Sequence, residues 1–87
     1  MIIKFHKRFI KRYDKLPSRI RRKVDATILI FHGDPFTARL RNHSLVGHLD
    51  GKRAISVTGD IRIIYEMEGE HILVLLLDVG THAQLYE

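Results

Sequence analysis

The sequence has 87 residues, a formal net charge of +5 and 45% hydrophobic residues. That length supports one modest core, and that apolar content excludes a disordered chain. The lack of cysteine excludes a disulfide scaffold and a thiolate metal site, and no apolar run approaches the roughly 18–20 residues that a membrane-spanning helix needs.

The chain opens with Met1-Ile2-Ile3-Lys4-Phe5, which alternates weakly and suits an edge strand. No long apolar stretch with a small-residue cleavage site follows, so a secretion signal is not expected, and the sequence reads as a single cytoplasmic domain over residues 1–87 with no membrane partner. Residues 6–14 carry Phe9, Ile10 and Tyr13 at helical spacing. Leu16-Pro17-Ser18 breaks that helix and starts a second one, whose Ile20, Val24, Ile28 and Phe31 fall on one face. Gly33-Asp34-Pro35 ends it. The two helices are expected to form an antiparallel hairpin.

Residues 33–51 form a long connection rich in Gly, His, Asn and Asp, of the kind that often carries function. From Arg53 the pattern is that of strands. Arg53–Thr58 places Ile55 and Val57 on one side and Ala54 and Ser56 on the other. Gly59-Asp60 turns the chain into Ile61–Met67, Glu68-Gly69-Glu70 makes a hairpin turn, and His71–Val79 is the most apolar strand. Gly80-Thr81-His82 leaves the sheet, and Ala83–Glu87 is a short tail. The expected architecture is α+β: an N-terminal strand, a two-helix hairpin, then an antiparallel three-stranded meander and a tail. With both helices on one sheet face, the other stays partly open for a ligand.

Charge is uneven along this plan. Residues 4–23 hold ten lysines and arginines against one acid, Asp14. Surfaces normally mix their charges, so this basic stretch suggests a polyanionic partner, with nucleic acid first and an acidic protein second. The six histidines (His6, His32, His43, His48, His71, His82) show no i, i+4 pairing of a helical zinc site. No phosphate-binding loop, nucleophile elbow or dinucleotide fingerprint is present, so neither a metal nor a cofactor is expected. The remaining His, Arg, Asp and Tyr side chains of the loop, turn and tail suit RNA cleavage by an internal 2′-hydroxyl. That reaction needs a base for the hydroxyl proton, a cation for the phosphate and an acid for the departing 5′-oxygen.

Three blocks sharpen this reading. Asn42-His43-Ser44-Leu45-Val46-Gly47, then Gly59-Asp60-Ile61-Arg62-Ile63-Ile64-Tyr65, then Gly80-Thr81-His82-Ala83-Gln84-Leu85-Tyr86 stand in order and resemble the RelE/YafQ mRNA interferases, the toxins of type II toxin–antitoxin pairs. The resemblance is close in the C-terminal half and a matter of pattern in the N-terminal half. It implies a RelE-like microbial RNase fold, ribosome-dependent cutting of mRNA without a metal, and a cognate antitoxin as partner. It further implies His43 and His82 as paired acid–base residues, Asp60 as an acid at the turn, Arg62 against the scissile phosphate and Tyr86 as the terminal aromatic. The chain departs from the YafQ pattern at Ser56, Asp78 and Ile61, where that pattern has histidine, arginine and tryptophan. Arg62 is then the candidate for the missing cation.

Arg39, Arg41, Lys52 and Arg53 are candidates for RNA binding, and the basic helices for ribosomal RNA or the antitoxin. Plainer roles stay open. His43 could cap its loop and His82 bond to backbone. Asp60 could be a turn residue, Arg62 could pair with Glu66 or Asp78, Arg53 could pack under the sheet, and Tyr86 could pack on the core. Two other functions fit the same scaffold: a ParE-like, non-catalytic toxin that binds gyrase, and a decayed toxin that binds only its antitoxin.

Overall fold

A computed structural model describes residues 1–86. Its elements run β1 (Ile2–Phe5), α1 (Lys7–Asp14), α2 (Ser18–Gly33), β2 (His43–Ser44), β3 (Arg53–Ser56), β4 (Ile61–Glu68), β5 (Leu73–Thr81) and α3 (His82–Tyr86). The expected meander, β3-β4-β5, is the middle of a larger sheet of five strands in the order β1-β5-β4-β3-β2. β1 lies parallel to β5, and every other pair is antiparallel. A parallel pair needs a long crossover; here α1 and α2 carry the chain to the β2 edge, and β2, β3 and β4 lead it back to β5.

The N-terminal pieces stop for local reasons. The His6 N–H makes one more ladder bond, to the Leu76 carbonyl at 2.8 Å. Its ring then turns back, and Nδ1 accepts the Arg8 N–H at 3.0 Å, which caps α1. α1 therefore runs on beside the part of β5 that β1 leaves uncovered. α2 buries Val24, Thr27 and Phe31, positions three and four residues apart. The Thr27 hydroxyl is satisfied by the Lys23 carbonyl at 2.8 Å.

The helices are less closely paired than a tight hairpin. They meet where the Tyr13 hydroxyl donates to Asp25 Oδ1 at 2.6 Å. Beside this contact Phe5, Phe9, Ile10, Ile28 and Leu29 line an open apolar groove of about 570 Å³.

Both faces of the sheet are covered, unequally. The helix side holds the main core, where Phe9, Val24, Phe31, Ile55, Ile63, Tyr65, Leu76 and Val79 pack together. On the other side Leu45, Ala54, Ile64 and Leu85 form a smaller cluster. The face expected to stay partly open is covered at its centre by α3 and the loop after β2.

A β-bulge adjusts the strand registry. Ile64 pairs with Asp78 but Tyr65 pairs with Leu76, so Leu77 is the extra residue. This lets Leu76 and Val79 bury on the same side despite their odd spacing, and it turns Asp78 to the other face. The turn before β5 also runs longer than expected, with Glu70 and His71 both at positive φ, so the strand begins at Leu73. The predicted tail is a helix over its described part; Glu87 lies outside the described residues. Thr81 and Gln84 build its start reciprocally: the Thr81 N–H donates to Gln84 Oε1 at 2.9 Å, and the Gln84 N–H donates to Thr81 Oγ1 at 3.2 Å.

Candidate active site

His43, in β2, pairs with Ala54, which pairs with Ile64. Directly paired residues point the same way, so His43 stands on the face of the smaller cluster. Its ring is exposed, and Nδ1 lies 2.8 Å from the Arg41 carbonyl. A carbonyl only accepts, so Nδ1 carries the hydrogen and the lone pair of the neutral ring is at Nε2. Arg41 itself sits in the left-handed region, φ 50° and ψ 43°. That costs about 1 kcal/mol for a residue with a Cβ. The strain turns the carbonyl toward the imidazole.

Arg62 shares this face, because β4 alternates and Ile63 and Tyr65 point into the main core. Its Nη1 donates to the Thr58 carbonyl at 2.9 Å and to the Gly59 carbonyl at 3.1 Å. The guanidinium thereby braces the β3–β4 turn at one nitrogen. The Thr58 hydroxyl braces the same turn from inside, accepting N–H groups of Asp60 at 3.2 Å and Ile61 at 2.9 Å. Asp60 is held at the exposed tip of this turn. Arg62 pairs with neither Glu66 nor Asp78; the partner of Asp78 is Arg12, 3.3 Å away.

α3 brings the remaining pair. His82 and Tyr86 are one helical turn apart, with ring centroids 4.4 Å from each other and planes at 45°. Leu85 between them enters the smaller cluster, and Tyr86 packs against its rim. Burial raises the Tyr86 phenol above its ordinary value, and the Arg62 charge pulls the other way. The phenol thus stays protonated at neutral pH and offers a hydrogen. His43 and Arg62 stand two strands apart and two residues along, on the order of 12 Å between Cα atoms. Their side chains can reach a group placed between them.

The RNA-binding candidates divide. Arg39 and Arg41 are exposed in the loop and Lys52 is half-buried beside it. Arg53 is elsewhere. It pairs with Tyr65 and so points to the helix face. There its Nε donates to Asn42 Oδ1 at 2.7 Å, and its guanidinium lies 5.5 Å from the Phe36 ring centre. Asn42 Nδ2 in turn donates to the Tyr65 hydroxyl at 2.7 Å and to the Pro35 carbonyl at 2.9 Å. The Tyr65 hydroxyl is 2.8 Å from His71 Nε2. Arg53 is therefore tied through Nε into a network on the helix face and does not join the others.

The structure thus brings His43, Arg62, His82 and Tyr86 to one face, with Asp60 at its edge. Such a set can take up a proton, give one back and hold an anion. Arg12, Asp78 and His6, none of them among the sequence-predicted site residues, border a cavity on this same face. No spacing in the chain links Arg12 to Asp78. The helical start at Thr81 was readable, as Thr-x-x-Gln is a capping pattern.

The five-stranded sheet with two helices on one face and a polar cluster on the other gives the fold of a small α+β protein. The family model described as a bacterial toxin of type II toxin–antitoxin systems, YafQ, matches residues 1–87. The chain belongs to this family and is the toxin component of such a system. YafQ from E. coli is similar in fold, with a TM-score of 0.82 at 22% identity, over 98% of this chain and 97% of that one. The E. coli DinJ–YafQ complex gives a TM-score of 0.69 at 26% identity, over 98% and 97%. The archaeal RelE–RelB complex from Pyrococcus horikoshii gives 0.75 at 21%, over 95% and 96%. No curated protein sequence matches the chain. No helix among the described residues is long and apolar enough to cross a membrane.

Proposed function

We propose that the chain is a ribosome-dependent mRNA endoribonuclease that works without a metal as a single domain in the cytoplasm. The observation that carries this is the state of His43. Its Nδ1–H is tied to the Arg41 carbonyl, which leaves Nε2 as a base on the face shared by Arg62, His82 and Tyr86. In the reaction, Nε2 takes the proton of a ribose 2′-hydroxyl and the 2′-oxygen attacks the adjacent phosphorus. The bond from phosphorus to the 5′-oxygen breaks. His82, in its charged form, gives that oxygen a proton, so a 2′,3′-cyclic phosphate and a 5′-hydroxyl result. Arg62 stabilises the charge on the pentacoordinate phosphate through the nitrogens that do not brace the turn. Tyr86 packs the His82 ring and offers a hydrogen to a phosphate oxygen. Asp60, at the turn tip, orients a neighbouring cation or the RNA sugar.

Exposed Arg39 and Arg41, together with Lys52, hold the RNA backbone, and the basic surface of α1 and α2 faces ribosomal RNA. A cognate antitoxin is the expected partner, since the DinJ–YafQ and RelE–RelB structures are complexes of this type. Inducing wild type beside a His43→Ala/His82→Ala double variant, and mapping mRNA 5′ ends on ribosomes, tests the proposal. Wild type should create new ends that the double variant does not. Growth arrest without new ends would favour a toxin that only binds a protein.

A further inference from the structure

A cavity of about 530 Å³ lies on the same face, between the start of α1, the loop after β2 and α3. Arg8 and Arg12 border it from α1, with His6 just before; His48 and Lys52 border it from the loop. Its single acid is Asp78. Asp78 is buried, with 8% of the residue and 11% of its side chain exposed. Oδ1 accepts the Val79 N–H at 2.9 Å and lies 3.3 Å from Arg12 Nε. This is the only ion pair among the described residues, in a chain of 15 basic and 10 acidic side chains.

The contact draws the Arg12 guanidinium toward β5. Nη1 lies 3.3 Å from the place a Cβ on Gly80 would occupy. Gly80 pairs with Arg62 and stands two residues before His82. Arg12 therefore brings a guanidinium from α1 across the sheet edge to a strand position flanked by two of the candidate catalytic residues. His6 adds a donor, because Nδ1 accepts the Arg8 N–H and the ring hydrogen of the neutral form is then at Nε2.

We infer that this cavity seats a phosphodiester of the RNA next to the one that is cut, with Arg12 as its principal cation and Asp78 as the positioning residue that aims Arg12. The inference rests on the RNA-cleaving reading. A phosphate needs paired donors at fixed angles, which a planar guanidinium held at one nitrogen provides and a loose cation does not. A buried acid in a cationic cavity works against an anion unless it has such a role.

Binding of a short single-stranded RNA whose 2′-hydroxyls are methylated, and so cannot be cut, is measured by fluorescence anisotropy. Wild type is compared with Arg12→Gln, Asp78→Asn and the double variant. Arg12→Gln should weaken binding about tenfold. Asp78→Asn should also weaken binding although it removes a negative charge, and the double variant should be no weaker than Arg12→Gln. Tighter binding by Asp78→Asn, or equal binding by wild type and Arg12→Gln, overturns the inference. If Asp78→Asn does not fold, Arg12→Lys decides. It keeps the charge without the fork, and binding as tight as wild type would overturn the role of aim. Cleavage on ribosomes, followed in parallel, separates the two readings. Loss of cutting with this binding pattern intact removes the nuclease and leaves the RNA seat. Cutting with tighter binding by Asp78→Asn does the reverse.

Discussion

On the helix-covered face, Arg53, Tyr65 and His71 are tied to Asn42 or to one another by hydrogen bonds of 2.7–2.8 Å, and Phe31 and Phe36 pack against the histidine ring. On the opposite face the same residue types, as His43, Arg62, His82 and Tyr86, bind backbone at one nitrogen or stack on each other and leave donors and acceptors toward solvent. Residue type alone therefore does not mark function here. Polar groups that bond one another against the core specify its packing; polar groups gathered on the opposite face, toward solvent, can meet a substrate. Arg53 shows the point most clearly, since a strand register one residue different would have placed it on the other face.

The contrast can be broken at graded cost. Phe31→Ala should have the largest effect, because its fully buried ring lies edge-on to Tyr65 at 4.8 Å; a loss of about 3–5 kcal/mol in denaturant unfolding is expected. Asn42→Ala leaves Tyr65, Arg53 and the Pro35 carbonyl short of a partner, and the same measurement should show a loss of about 1–3 kcal/mol. Tyr86→Phe keeps the ring on His82 and removes the hydroxyl. It should slow RNA cutting about tenfold and change stability by less than about 0.5 kcal/mol.

The smallest effect is in pH. Burial, aided by the Arg53 charge, holds His71 below the ordinary histidine value of 6.5. The unfolded chain then binds this proton before the folded one does. Its contribution to stability is complete above that value and is lost as pH falls through the lower folded value. Unfolding midpoints across this range should fall more steeply for wild type than for His71→Gln.

Much of this was legible in the sequence, and unevenly so. The two helices, the meander and the shared face of Arg62 and Ile64 follow from spacing alone. Arg53 shares strand parity with Ile55, so its inward turn was readable. The parallel seat of β1 against β5 was not, because no local pattern records a pairing between chain ends. Nor was the bulge at Leu77, which a continuous apolar run conceals, or the ion pair that carries Arg12 to Asp78.

The division of labour between the faces is tested most directly by two histidines in one assay: the cleavage rate per folded molecule on ribosomes for His43→Ala and His71→Ala. The account predicts that His43→Ala keeps wild-type stability and loses cutting by about 10²-fold or more, while His71→Ala is less stable and cuts at the wild-type rate when folded. Full cutting by His43→Ala, or loss of cutting by folded His71→Ala, would contradict it.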